Sequence, residues 1–154
     1  MSVQIVLGSK SDLKVAEKAT EVLKELGVEY RISVASAHRT PELVDKLVRE
    51  ADAEVFIAIA GLSAALPGVV AARTSRPVIG VPVSGALNLD AILSVVQMPS
   101  GIPVAAVGLD RGENAAILAA QILALKDDRV REALEAHRTK LKEKVARDSQ
   151  EVDG

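Results

Sequence analysis

The chain contains two histidines, and the first stands in VASAHRTPE, Val34 to Glu42, between Ser36 and Arg39. His38 falls where an apolar run, read as a buried strand, gives way to a helix start marked by Thr40 and Pro41. A titratable ring beside a permanent cation is suited to moving a proton on a bound anion. Two more polar loops follow apolar segments. GSKSD, from Gly8, supplies a glycine for a tight turn, the hydroxyls of Ser9 and Ser11, and the free N–H groups of a helix start, which attract a phosphate. The same residues also make an ordinary serine/aspartate helix cap. Asp12 repels phosphate and is better matched to sugar hydroxyls, with Lys10 offsetting its charge. AGLSAALPG, from Ala60, brings backbone amides close to a flat ligand at Gly61 and Gly68, although close packing selects the same small residues. Gly61, Ser63 and Leu66 are the binding candidates of this loop.

These loops need a frame that brings them together. Five apolar segments rich in β-branched residues begin at Val3, Arg31, Glu54, Pro77 and Ile102, and each precedes a helical stretch. Strand–helix alternation builds an α/β domain around a parallel sheet buried on both faces. The common order for five strands, 2-1-3-4-5, makes the carboxyl ends of strands 2, 1 and 3 neighbours, so their loops share one crevice. The first helix has Leu13, Ala16, Ala19, Leu23 and Leu26 on one stripe, with Ser11 or Asp12 as its cap and Gly27 past its end. The stretch from Gly112 to Leu125 is apolar around most of its circumference, which fits either a central helix or a face covered by a partner subunit. A charged helix from about Arg129 to Arg147 carries Val130, Leu134, Leu141 and Val145 on one side. His137 shares that stripe as a packing or hydrogen-bonding residue, and the tail after Arg147 is expected to fray.

Composition narrows the function. All 154 residues read as one domain, with no repeat, linker or second unit. Cysteine is absent, which excludes thiol catalysis and thiolate metal sites. The net charge of −2 and the presence of only Tyr30 and Phe56 as aromatic residues argue against a nucleic-acid surface. No apolar run is long enough for a membrane span and no signal peptide is evident, so a cytoplasmic location is expected. Neither a metal-ligand cluster nor a cofactor motif occurs. One histidine without a paired nucleophile points to acid/base chemistry.

GSKSD, SAHRTP, ALPG, PVIGVPV, VQMPSGIPVA and ENAAILAAQIL occur in the order and spacing of the catalytic subunit of phosphoribosylaminoimidazole carboxylase. On these motifs the chain resembles the PurE family over roughly Val3 to Leu125. The resemblance implies a flavodoxin-like three-layer sandwich, assembly as a homo-octamer, and a role in purine biosynthesis without ATP, metal or biotin. One branch of the family moves a carboxylate from the exocyclic amine of N-carboxylated aminoimidazole ribonucleotide to the ring carbon. The other adds carbon dioxide directly to aminoimidazole ribonucleotide. Carried over by motif, His38 is the acid/base, Ser9, Asp12 and Arg39 contact the ribonucleotide, and Ser11 and Ser36 add further contacts. Met98, Pro99 and Gly101 of QMPSG are implied to close the site from a neighbouring subunit.

Arg39 and QMPSGIPV resemble the mutase branch. Ala65 replaces a histidine common in mutases, the surrounding loop is two residues shorter than the usual bacterial form, and GLSAAL partly resembles the direct carboxylases. The expected activity is the mutase, with direct carboxylation as the alternative. The non-enzymatic alternatives are a nucleotide-sensing module, which has no use for His38, and an assembly protein with a vestigial crevice, suggested by Ala65 and the shortened loops.

Overall fold

A computed structural model describes residues 1–153. Five parallel strands, β1 (Ser2–Leu7), β2 (Glu29–Val34), β3 (Val55–Ala60), β4 (Val78–Pro82) and β5 (Ala105–Ala106), lie in the order 2-1-3-4-5. The helices are α1 (Leu13–Glu25), α2 (Pro41–Glu50), α3 (Leu66–Ala71), α4 (Asn88–Val96), α5 (Gly112–Leu123) and α6 (Asp128–Asp153). Because successive strand residues point to opposite faces, β1 splits its side chains between two cores. Val3, Ile5 and Leu7 join α1, α5 and the start of α6, whereas Val6 joins Phe56 and α2, α3 and α4. The result is the flavodoxin-like three-layer sandwich, and β3 is buried along its whole length.

Several local expectations are corrected. The strand before His38 is not buried: β2 is an edge strand, mostly exposed, and begins two residues earlier than its apolar run because Ser2 pairs with Glu29. An edge strand has a neighbour on one side only, so periodicity alone overstates its burial. At the other edge β5 keeps only two of the residues expected of it. The cap of the first helical turn is Ser9. Its Oγ accepts the Ser11 N–H, while Asp12 reciprocates at the Ser9 N–H, and Asp12 places no cap bond on α1 itself. Gly27 does terminate α1, in the left-handed conformation at φ +66°.

One side of α5 is covered within the chain, while Ile117, Leu118 and Ile122 are partly exposed and Leu125 past its end is exposed. Ala115, Ala116, Ala119, Ala120 and Leu123 are buried among α1, the sheet and α6. Close approach to α1 requires Gly112, where a Cβ would fall 2.0 Å from the Val15 carbonyl oxygen. The last helix reaches Asp153, beyond its expected end, because the charged segment after Arg147 continues the turn. Gly154, the end of the tail expected to fray, lies outside the described residues. Val130 and Leu134 anchor α6, but Leu141 and Val145 are exposed where the helix leaves the body. His137 Nδ1 lies 3.1 Å from Glu25 Oε2, and Lys140 donates to Oε1 of the same carboxylate at 2.8 Å. Chiefly through Lys140, this pairing holds the Glu25 carboxyl below its ordinary range. His137 is thus a hydrogen-bonding tie between α1 and α6. Among the described residues no helix is long and apolar enough to cross a membrane.

Candidate active site

The carboxyl ends of β2, β1, β3 and β4 open onto a crevice of about 590 Å³, a size suited to a small ligand. All nine candidate residues line it: Ser9, Ser11, Asp12, Ser36, His38, Arg39, Gly61, Ser63 and Leu66. Parallel pairing places the loops side by side, since Leu7 pairs with both Val34 and Ile59 at the strand ends.

The loop after β2 is wound tightly on itself. Thr40 precedes α2, yet its hydroxyl makes no cap bond there. Instead Thr40 Oγ1 accepts the Ser36 N–H at 2.9 Å, and the Thr40 N–H returns to the Ser36 carbonyl at 2.9 Å. This turn presents His38 as an exposed ring. Arg39 is braced by two bonds, Nε to Ser36 Oγ at 3.3 Å and Nη2 to the Gly8 carbonyl at 3.1 Å. The guanidinium bridges the loops after β1 and β2 and has further donors for an anion.

Asp12 is buried although it is ionisable. Its Oδ2 accepts the Ser9 N–H at 3.0 Å, and its Oδ1 is 3.3 Å from the Ser11 hydroxyl. Burial raises its pKa, opposed by the bonds from Ser9 and Ser11 and by the nearby charge of Arg39. A partly desolvated carboxylate held by neighbours is a strong acceptor for ligand hydroxyls.

The loop after β3 forms the opposite wall. Gly61 lies against Val83, whose carbonyl oxygen would be 3.3 Å from an added Cβ. Leu66 is buried in the core and forms part of the floor. Ser84, Gly85 and Ala86, after β4, also line the crevice and were not among the sequence candidates. Their signal was available, since SGA follows an apolar strand just as the other three loops do. Asp110 supports this segment, accepting the Ser84 N–H at 2.8 Å while its own N–H donates to the Pro82 carbonyl at 2.9 Å. Met98, Pro99 and Gly101 do not line the crevice of their own chain. Met98 packs at Gly68, with its sulfur 3.2 Å from the position of an added Cβ. Among the described residues no cluster of histidine and carboxylate side chains is arranged to hold a metal.

Residues 2–144 match the family model described as AIR carboxylase. The N5-carboxyaminoimidazole ribonucleotide mutase of Methanocaldococcus jannaschii is 62% identical over 149 residues, covering 96% of this chain and 95% of that protein. A probable N5-carboxyaminoimidazole ribonucleotide mutase of Methanothermobacter thermautotrophicus is 55% identical over 97% of this chain, which spans 46% of that longer protein. The crystal structure of Treponema denticola PurE superposes with a TM-score of 0.89 at 34% identity, covering 99% of this chain and 98% of that one. By the extent of the family match and its agreement with near-complete relatives and a solved structure, the chain belongs to the AIR carboxylase, or PurE, family.

Proposed function

We propose that the protein is an N5-carboxyaminoimidazole ribonucleotide mutase of purine biosynthesis, using His38 as its acid/base. The observation that carries this reading is the convergence of an exposed histidine, a braced arginine and a buried carboxylate on one crevice. The names of its near-complete relatives support the same activity. Ser9, Ser11, Ser36 and Arg39 supply donors for the phosphate, Asp12 accepts from the ribose hydroxyls, and the Gly61–Leu66 wall with Ser63 flanks the base.

The chemistry is an isomerisation that balances without a cofactor. The bond between the exocyclic nitrogen and the carboxylate carbon breaks, releasing carbon dioxide, and the nitrogen takes a proton from protonated His38. The electron-rich ring carbon then attacks the enclosed carbon dioxide and forms the new carbon–carbon bond. Neutral His38 removes the ring proton, which restores its charged form. The crevice must retain carbon dioxide between the two steps, and closure by a neighbour's Met98–Gly101 segment within a cytoplasmic homo-octamer serves that need.

Direct carboxylation of aminoimidazole ribonucleotide is the second reading, favoured by Ala65 on the crevice wall. Labelled bicarbonate separates the two. Purified protein given unlabelled N-carboxylated substrate at low bicarbonate is expected to retain most of the original carboxylate in its product. Full exchange with labelled bicarbonate, or turnover only from aminoimidazole ribonucleotide, would overturn the mutase reading.

A further inference from the structure

After β3 the backbone passes through two consecutive non-glycine residues in the left-handed region, Leu62 at φ +31° and Ser63 at φ +40°. Side chains are crowded against the backbone there, so the conformation persists only where the surroundings hold it. One holding contact comes from far along the chain. The Ser63 N–H donates to Asp90 Oδ2 at 2.9 Å, across 27 residues. Asp90 lies in the first turn of α4, whose cap residue Leu87 makes no side-chain cap bond. The Asp90 carboxylate thus reaches across to the loop, and Asp90 itself does not line the crevice. On the far side of the turn, the Ser63 carbonyl accepts from the Ala65 N–H. The strained pair is therefore fixed at Ser63 by its carbonyl within the loop and by its N–H from α4.

We propose that Asp90 is a positioning residue for the ribonucleotide site, holding the Gly61–Ala65 wall in its ligand-facing conformation through the Ser63 amide. This assignment rests on the crevice being the ribonucleotide site. Asp90 touches no reacting atom, so its loss falls on binding and leaves the proton transfer at His38 intact.

The test compares Asp90→Ala with Asp90→Asn, which retains an oxygen able to accept the same N–H. Asp90→Ala is expected to raise KM, and the Kd for the product ribonucleotide, about tenfold, as for a lost hydrogen bond to a charged group, with kcat within about threefold. Hydrogen exchange at the Ser63 amide, followed without ligand, should accelerate about tenfold or more in Asp90→Ala and stay within about threefold of wild type in Asp90→Asn. Recovery of Kd in the asparagine variant completes the expected pattern. Unchanged Kd in Asp90→Ala, unchanged exchange at Ser63, or equal impairment in both variants would overturn the assignment. Wild-type protein that fails to bind the ribonucleotide would refute the site reading itself, and this assignment with it. Wild-type binding with an unaffected alanine variant would refute only the role of Asp90.

Discussion

His38 and Asp12 reach the same crevice under opposite physical conditions, one exposed on a tight turn and the other buried beneath a capping box. In the proposed mechanism His38 moves the proton and makes no ground-state contact that binding depends on, so its removal should fall on turnover. His38→Asn is expected to lower kcat by at least about a hundredfold, with the ribonucleotide Kd within a few fold. His137→Ala should leave kcat unchanged, because that ring is engaged with Glu25 on the α1–α6 tie. Steady-state kinetics with titration calorimetry checks both, and near-normal turnover of His38→Asn would remove it from the mechanism. For Asp12, burial raises the folded-state pKa, so the folded protein takes up this proton at a higher pH than the unfolded chain. The cost of the buried charge is therefore full above the folded pKa and disappears below the ordinary value of 3.8. Asp12→Asn is expected to raise Tm at pH 7, by a margin that shrinks as pH falls through that range. The same variant should bind ribonucleotide about tenfold more weakly, since an ionised acceptor is lost. A Tm gain that stays constant down to pH 3.5 would show that charge burial is not its source.

At the scale of elements, α1 and α5 meet through alanines and one glycine, and this sets how near the two helices lie on the sheet. Gly112 has no room for a methyl group, and the atom in the way is a backbone carbonyl that cannot rotate aside. Gly112→Ala should destabilise the protein by about 3 kcal/mol, the upper part of the range for overpacking. Thermal unfolding would register this as a fall of roughly 10 °C in Tm. An unchanged Tm would mean that the helices separate freely. Much of this architecture was legible in the sequence because its signals are local: the stripe of Leu13, Ala16, Ala19 and Leu23, the φ-positive Gly27 and the apolar run of β3 each mark their own element. That the nine candidate residues would share one crevice was legible for a similar reason, since they follow strands whose order brings their loops together. The residues that sequence reasoning missed depend on distant partners. Asp90 acquires its role from Ser63, Asp110 from Ser84, and β2 its exposure from lying at the sheet edge. Thr40 marks the start of α2 as its sequence suggests, but its hydroxyl serves the Ser36 turn, which only the folded loop reveals.

The whole molecule leaves apolar surface that its own fold does not cover, at the end of the α5 stretch and also well away from it. The buried face of α5 lies against α1, the sheet and α6, yet Leu125 just past its end is 83% exposed, and further uncovered apolar residues lie in the loop after β3 and around α4. Leu62, Leu87 and Leu89 are 73%, 65% and 67% exposed, and Val96 at the end of α4 is 54% exposed. Ile32 and Val34 add an apolar edge at β2, and Leu141 and Val145 another on the projecting part of α6. Uncovered apolar groups of this kind are what the proposed closed assembly would bury. Leu62 among them lines the crevice, and Met98, Pro99 and Gly101 lie outside the crevice of their own chain. Assembly and activity should therefore be linked. Light scattering is expected to show eight chains per particle at micromolar concentration. Leu89→Arg, on an exposed position of α4, should shift the population to smaller species while each chain keeps its helical circular dichroism. The dissociated variant should lose turnover because its crevices are left open, and carbon dioxide released in the first step should escape to exchange with labelled bicarbonate. A stable monomer with full turnover and full retention of the original carboxylate would show that one chain encloses the reaction alone.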